Sequence, residues 1–144
     1  MSAPIRDARP ADAAAMAAIL GGWVRATPWM PRLHNEAEDR AFCAGLIEQS
    51  EVRVTGEPPL GFLSLSGEEI GSLYVAAPAR GQGRGRALLS DAKARRARLS
   101  LWTFQANEGA RRFYRREGFE EAGRTPGDNA EGLPDIRFTW EAPA

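Results

Sequence analysis

The segment from Ile70 to Leu89 constrains the fold more than any other part of this 144-residue chain. An apolar, β-prone run from Ile70 to Val75 leads into a turn rich in Gly and Arg, and an alanine- and leucine-rich stretch typical of a helix follows. The first N–H groups of a helix lack partners inside it and carry partial positive charge. A strand that passes through glycines into a helix can therefore hold a phosphate.

Two common phosphate-binding patterns do not fit the glycines of this turn. The Walker pattern requires Lys followed by Ser or Thr, which is absent here, and the dinucleotide pattern G-x-G-x-x-G would need glycine where Arg86 and Leu88 stand. The pattern that does fit is R-x-x-G-x-G, at Arg80, Gly83 and Gly85. Taken alone, it leaves open a flexible basic loop that precedes a helix.

A second pattern follows about twenty residues later. Leu99–Phe104 is rich in aromatic residues and alternates as a strand does, and Asn107 then stands where a helix cap is expected. Gly118 supplies the left-handed residue that ends such a helix. One face of this helix carries Ala110, Phe113 and Tyr114.

The two patterns together, in this order and spacing, resemble the GNAT N-acetyltransferases. R-x-x-G-x-G resembles their pyrophosphate loop, and N-x-x-A-x-x-F-Y-x-x-x-G-F, beginning at Asn107, resembles their second motif. The resemblance extends from about Ile5 to Trp140 and is strongest over Ile70–Phe119. It implies a small, bacterial-type protein with one domain over residues 1–144. The implied α/β fold has a mixed, mostly antiparallel sheet of six to seven strands, about four flanking helices and a splayed parallel strand pair.

The resemblance also implies acetyl-CoA as cosubstrate, a primary amine as acceptor, and a set of site residues. The backbone N–H of Val75 is the implied oxyanion donor, and Tyr114 holds the position of the usual tyrosine acid; its alternative is an ordinary aromatic core residue. The implied cofactor-binding residues are Leu73, Tyr74, Val75, Arg80, Gly81, Gln82, Gly83, Arg84, Gly85, Arg86, Asn107, Ala110, Phe113 and Tyr114.

The acceptor side is less defined. The segment from Thr27 to His34 carries large apolar residues where a loop is usually polar, which is typical of a binding wall. By the resemblance, Trp29, Met30 and His34 are acceptor-pocket residues, with local packing of the loop as the alternative. His34, the only histidine, is either a general base or an exposed or structural residue.

The general base stays unassigned. Many relatives carry a glutamate on the strand before the phosphate loop, but the aligned position here is Gly71. Glu68 and Glu69 are near, at the turn or strand start, where solvent exposure is the alternative. The departure at Gly71 keeps a second function open, a noncatalytic acetyl-CoA-binding or regulatory module.

Composition narrows the partners and the location. The chain has 19 basic and 19 acidic residues, which argues against a nucleic-acid binder. No apolar run approaches the length of a membrane span, and the one cysteine excludes an internal disulfide. We therefore expect a cytoplasmic protein that binds no nucleic acid, membrane or metal. The sequence leaves monomer and homodimer open.

The remaining elements follow from periodicity. The helix after Pro10 has an apolar face formed by Met16, Ile19, Leu20 and Trp23. A second helix, capped by Asn35 with Glu38, is predicted to bury Phe42, Cys43, Leu46 and Ile47. The other predicted strands are Ile5–Ala8, Glu51–Thr55, Leu60–Ser66, Glu120–Arg124 and Asp135–Trp140. The Ile70 and Leu99 strands, joined through a helix, should be parallel neighbours.

Overall fold

A computed structural model describes residues 4–143 of the chain and contains a mixed α/β fold. The helices are α1 (Ala13–Ala26), α2 (Glu36–Gln49), α3 (Arg84–Arg95) and α4 (Glu108–Arg116). The strands are β1 (Ile5–Asp7), β2 (Glu51–Thr55), β3 (Gly61–Ser66), β4 (Glu69–Val75), β5 (Arg98–Phe104), β6 (Glu120–Thr125) and β7 (Asp135–Glu141). Every predicted helix and strand is present, and each strand boundary lies within one residue of its predicted position.

The seven strands form one sheet in the order β1-β2-β3-β4-β5-β7-β6. All neighbouring strands pair antiparallel except β4 and β5, which are parallel and are joined by the crossover helix α3. The predicted mixed sheet with one parallel pair is therefore confirmed, because the strand–helix–strand order forces a crossover at this point.

The parallel pair separates soon after it forms. Only Glu69–Ser100 and Ile70–Leu101 are paired between β4 and β5. The register between β3 and β4 shifts at the same level, so that Gly71 is an extra residue on β4. A bulge bends the strand that carries it. The two strands beyond this level are consequently held apart, as the splayed pair predicts.

Helices cover both faces of the sheet. On one face, α3 packs Leu88 and Leu89 against Leu63 of β3, and the same core includes Phe138 of β7. On the other face, α1 and α2 cover a second core that contains Met16, Cys43, Val54 and Phe62. β3 supplies both cores because neighbouring side chains on a strand point to opposite faces.

One residue of the predicted α2 core lies outside it. Cys43 is fully buried, but Phe42 has 52% of its surface exposed. The prediction that Phe42 packs in the core is wrong, because the narrow buried face of α2 is centred on Cys43 and turns Phe42 outward. Phe42 instead borders a large cavity described below.

A buried carboxylate anchors the start of α1. Asp12 accepts hydrogen bonds from the Arg9 N–H at 2.8 Å and from both terminal nitrogens of Arg6, at 2.8 and 3.1 Å. The hydrogen bonds from Arg6 lower the pKa of Asp12 below its ordinary value of 3.8. A carboxyl whose pKa is lowered by folding stabilises the fold above its unfolded pKa, and this contribution is lost as the pH falls through the folded value.

We expect Asp12→Asn to lower the free energy of unfolding by about 1.5–3 kcal/mol at pH 7, the range for hydrogen bonds to charged groups. Urea denaturation of wild type and variant at pH 7 and at pH 3 measures the difference. The gap should narrow at pH 3, because this pH lies below the unfolded pKa and the unfolded wild type then gains a proton that the folded carboxylate resists. A gap that stays constant between the two pH values would contradict this account.

Candidate acetyl-CoA site and acceptor cavity

The gap between the splayed strands is a cavity of about 390 Å³, called the narrow cavity here. β4 lines one wall from Ile70 to Val75, and β5 lines the other from Leu101 to Phe104. Helix α4 contributes Tyr114 at the base. The cavity exists because the bulge at Gly71 ends the pairing of β4 with β5 and no side chain fills the resulting space.

Backbone groups of β4 point into this gap. The N–H of Ala76 donates to the carbonyl of Leu60 on the β3 side at 2.7 Å. Backbone groups alternate between the two sides of a strand, so those of Val75 and Leu73 point the other way, toward β5. β5 is too distant there to pair with them, which leaves the Val75 N–H and the backbone groups of Leu73 available to a bound molecule, while the Val75 carbonyl accepts from Arg80.

The Gly/Arg turn lies at the end of β4 and leads into α3. Gly83 is the N-cap residue with φ +80°, and Gly81 has φ +75°, conformations that favour glycine. The first helical hydrogen bond runs from the Ala87 N–H to the Gly83 carbonyl. Within the described chain, the N–H groups of residues 81–86 have no hydrogen-bond acceptor. A run of unpaired amides at a helix start is an anion-binding arrangement.

The three arginines of the turn have different surroundings. Arg80 borders the narrow cavity and donates to the Val75 carbonyl at 3.0 Å. Arg84 turns inward to Thr55 Oγ1 at 3.2 Å, and its buried Nε has no partner. Arg86 is exposed, 3.6 Å from a carboxylate oxygen of Glu117. Only Arg80 thus has its charge directly at the narrow cavity.

The second motif forms the other side of the narrow cavity. Asn107 caps α4 by accepting from the Ala110 N–H at 3.1 Å, as its sequence position predicts. Both residues border the cavity. Phe113 is half-buried and would lie 3.7 Å from a Cβ on Gly85, so it supports the turn from behind. Gly118 ends the helix with φ +91°, also as predicted.

Tyr114 is a buried core residue that also lines the narrow cavity. Its ring is 7% exposed and packs against Phe113, Phe119 and Phe138. It also borders the narrow cavity, and its hydroxyl makes no hydrogen bond to any residue of 4–143. Burial raises the pKa of Tyr114 well above its ordinary value of 10. The hydroxyl therefore stays protonated and available as a donor at neutral pH.

Tyr74 is the second tyrosine at this place, and the sequence analysis included it only as part of the cofactor-binding strand. Its ring contacts Trp23, with centroids 5.5 Å apart, and Phe62 at 5.7 Å. Burial, with the negative charge of Glu131, raises the pKa of Tyr74 to about 12. Alternation along β4 is the sequence signal here, because it places the Tyr74 side chain on the opposite face of the sheet from that of Leu73.

A second cavity of about 700 Å³, the wide cavity, lies beside the first. The two share Gly71, Ser72, Tyr74, Trp102 and Phe104 as lining residues. Gly71 is part of this shared boundary, and a Cβ built on it would lie 3.2 Å from Ser64 Oγ of β3. The two cavities therefore meet where β4 separates from β5.

The α1–α2 segment, which the resemblance implies as a wall of the acceptor site, borders the wide cavity. Met30 and His34 line it, and His34 is exposed with Nδ1 3.8 Å from Glu38. Trp29 does not line either cavity. It packs edge-on against Phe104 at 5.8 Å and Trp23 at 5.9 Å, which matches the local-packing alternative.

Carboxylates border only the wide cavity. No Asp, Glu or His is among the described residues that line the narrow one. Glu68 and Glu69 line neither, and Glu69 lies 3.5 Å from Arg137. The wide cavity has Glu36, Glu38, Asp39 and Glu131. Among residues 4–143, no cluster of metal-ligating side chains is found, and no helix is both long and apolar enough to cross a bilayer.

Comparison with known proteins places these features in a family. The model of the acetyltransferase (GNAT) domain matches residues 37–121. The peptidyl-lysine N-acetyltransferase YjaB of Escherichia coli is 34% identical over 73 residues, which are 51% of this chain and 50% of that protein. The Salmonella typhimurium protein of the same name is 33% identical over the same shares. The chain thus spans about half the length of the curated relatives it matches.

Solved structures extend the similarity to the whole fold. The apo form of Escherichia coli YjaB has a TM-score of 0.80 at 25% identity, over 99% of this chain and all of that one. YncA from Salmonella typhimurium, solved with acetyl-CoA, has a TM-score of 0.75 at 21% identity, over 100% and 96%. The family model covers more than half of the chain and includes the Gly/Arg turn and α4. The chain therefore belongs to the GNAT family of acetyltransferases.

Proposed function

We propose that this protein is an N-acetyltransferase that moves the acetyl group of acetyl-CoA to a primary amine. The observation that carries the proposal is that Arg80 lines the narrow cavity and directly precedes the unpaired N–H groups of residues 81–86. The pantetheine arm of CoA would occupy the narrow cavity, and the diphosphate at the end of that arm would bind the N–H groups that follow Arg80. The proposed location is the cytoplasm, and a homodimer stays open beside a monomer.

Each part of acetyl-CoA has a proposed partner. The diphosphate binds the amides of Gly81, Gln82, Gly83, Arg84, Gly85 and Arg86, with Arg80 beside it. The pantetheine arm lies between β4 and β5 and bonds to the backbone of Leu73 and Val75, while Asn107 offers its side-chain N–H₂. Ala110 and Phe113 support the arm from α4, and Tyr74 closes the acceptor side.

The transfer forms a C–N bond to the amine and breaks the C–S bond of the thioester. Negative charge that develops on the acetyl oxygen is stabilised by the Val75 N–H, which points into the gap. The departing sulfur receives a hydrogen bond, and then a proton, from the Tyr114 hydroxyl. The amine loses its proton toward the wide cavity, where carboxylates and water are available, because no carboxylate lines the narrow one.

The acceptor is a primary amine in this proposal because the named relatives act on primary amines. YjaB is named a peptidyl-lysine N-acetyltransferase, and a Brucella melitensis structure with a TM-score of 0.73 and 26% identity, over 96% of this chain and 99% of that one, is a ribosomal-protein-alanine N-acetyltransferase. A noncatalytic acetyl-CoA-binding module is the second candidate. It is favoured by the absence of a carboxylate from the narrow cavity and by Gly71 at the aligned base position.

We expect acetyl-CoA at about 100 times its Kd to stabilise the protein by about 2.7 kcal/mol. For a domain of this size, that stabilisation raises Tm by about 5–10 °C. Differential scanning fluorimetry measures the shift, and thiol release across a panel of primary amines measures transfer. A shift without amine-dependent thiol release would favour the noncatalytic module, and the absence of any shift would contradict both candidates.

A further inference from the structure

The large apolar side chains that are most exposed in this protein gather in one place. Leu33, Phe42 and Trp102 have 45%, 52% and 43% of their surfaces exposed, and they are the exposed large apolar residues among 4–143. They come from the α1–α2 segment, α2 and β5, yet all three border the wide cavity. Exposed apolar groups that converge on a cavity indicate a ligand with an apolar surface.

Trp102 is held in place for such a ligand. The Arg137 guanidinium lies 5.4 Å from the centroid of its ring, a cation–π contact that fixes the ring orientation. Trp102 borders both cavities, at the point where β5 separates from β4. A ring that packs against Trp102 is therefore close to the boundary that the two cavities share, on the side where the thioester is proposed to lie.

The charged groups of the wide cavity favour a cation. Four carboxylates border it, against two guanidiniums and the imidazole of His34: Glu36, Glu38, Asp39, Glu131, Arg25 and Arg32. Glu38 already accepts a hydrogen bond from the Asn35 N–H at the α2 cap and lies near His34. The side chains of Arg25 and Asp39 both lie beside Gly21 and so are close to each other. Glu131 makes no ion pair with any residue in the described range.

The loop that carries Glu131 is braced. Asn129 donates to the Leu133 carbonyl at 2.8 Å and to Asp135 at 3.2 Å, and it accepts from the Leu133 N–H at 3.2 Å. These bonds close the loop across Glu131 and hold its half-buried side chain at the wide cavity. The carboxylate is close enough to Tyr74 to raise that residue's pKa. Glu131 thus lies on the side of the wide cavity where the two cavities meet.

We infer that the acceptor is a small primary amine, bound as its ammonium ion beside Glu131, with an aromatic or branched apolar body that packs between Trp102, Phe42 and Leu33. This inference rests on the proposed acetyl transfer and specifies its acceptor. A lysine side chain is slender and unbranched, so it leaves most of a 700 Å³ cavity unfilled. Cavities of this size are typical of sites for small molecules.

Two matched pairs of amines test the apolar and the charged part separately. Phenethylamine differs from ethylamine by one phenyl ring, and burial of that ring predicts a kcat/KM about 100-fold higher for phenethylamine. Phenylalanine amide differs from phenylalanine by loss of a carboxylate, which the acidic cavity would repel. We expect phenylalanine amide to be favoured by at least about 10-fold, the effect of one like-charge contact at a partly exposed site.

Variants then connect each preference to its residue. Trp102→Ala should reduce the phenethylamine-to-ethylamine ratio by about 10-fold, and Phe42→Ala, at an exposed position, should reduce it in the same direction. Glu131→Gln should reduce the ratio of phenylalanine amide to phenylalanine and leave the ring preference in place. Acetyl-CoA thermal shifts of the same variants check that each is folded and binds the cosubstrate.

Several results would overturn the inference. One is a kcat/KM for a blocked lysine peptide that equals or exceeds that for phenethylamine, and another is a ring preference that Trp102→Ala leaves intact. Acetyl-CoA binding with no acetylation of either aromatic amine would also overturn it. None of these outcomes would contradict the binding of acetyl-CoA. The proposed function itself fails through different readouts, the absence of a thermal shift with acetyl-CoA or the absence of thiol release across the whole panel of primary amines.

Discussion

Gly83→Asp is expected to weaken acetyl-CoA binding by about 100-fold, because it places a carboxylate among the amides that would hold the diphosphate. Gly83 is the N-cap of α3, and a Cβ built on it meets no other atom within 4 Å, so the new side chain occupies open space at the helix start. A like charge about 4 Å away at a partly exposed site costs up to about 4 kcal/mol, and a 100-fold loss is about 2.7 kcal/mol. Isothermal titration with acetyl-CoA measures the change.

Two controls separate charge from strain. Gly83→Asn has nearly the same shape without the charge, and Asn and Asp both enter the left-handed region at low cost, so its loss of affinity should be much smaller. Gly67→Asp adds the same charge at another left-handed glycine, with φ +59° and open surroundings, in the turn between β3 and β4. That turn borders neither cavity, so Gly67→Asp should bind acetyl-CoA as the wild type does. If Gly83→Asp binds acetyl-CoA as tightly as the wild type does, the diphosphate does not bind at this turn.

The elements around this turn could be predicted from sequence because their signals are local. Left-handed Gly83 and Gly118, the Asn107 cap and the strand from Ile70 to Val75 each follow from the preferences of a few neighbouring residues. The parallel pairing of β4 with β5 also follows, since a strand, a helix and a strand in one sheet require a crossover. The width of the gap between them could not be predicted, because it depends on the bulge at Gly71.

The acceptor side was harder to predict because its residues meet only through the tertiary fold. Phe42 fits the helical pattern of a core residue but lines the open wide cavity. Periodicity cannot distinguish an apolar residue that packs in the core from one that lines such a cavity. Trp102 carries a usable signal. It follows buried Leu99 and Leu101 at the alternate position of β5, where an outward-facing tryptophan is unusual.

Glu131 had no sequence signal of its own. Its loop contains Gly, Asn, Asp and Pro, a composition that predicts a turn and nothing about direction. The bonds from Asn129 to Leu133 and Asp135 help to orient the loop, and the packing of β6 and β7 beside β5 brings it toward Tyr74. The spacing of 57 positions between Tyr74 and Glu131 hides this contact from any local pattern.

Tyr114→Phe is expected to lower kcat by about 100-fold with little change in acetyl-CoA affinity. Proton donation by a positioned side chain contributes about 10²–10⁴ to rate, and the loss of the hydroxyl removes that donor while the ring stays packed. Tyr114 contacts Phe113, Phe119 and Phe138 through its ring alone, so phenylalanine preserves the core. Single-turnover thiol release measures the chemical step, and a thermal shift measures cosubstrate binding.

The other tyrosine supplies a matched control. The chain has two tyrosines, and both border the narrow cavity. Tyr74→Phe removes the same atom from the acceptor side and should lower kcat by less than about 10-fold, below the usual contribution of a proton donor. A large loss in Tyr74→Phe together with near-normal turnover in Tyr114→Phe would transfer the proton-donor role to Tyr74.

The pH dependence adds an independent check on Tyr114. Burial raises the pKa of its hydroxyl above 10, so the hydroxyl stays protonated over the pH range in which the amine becomes neutral. The wild-type rate should therefore rise with pH as the acceptor loses its proton and should show no decline from Tyr114 below pH 10. Tyr114→Phe should keep the rising limb at a uniformly lower rate. A wild-type decline centred near pH 8 that disappears in Tyr114→Phe would mean that this tyrosine ionises in the working site, which contradicts its role as a buried, protonated donor.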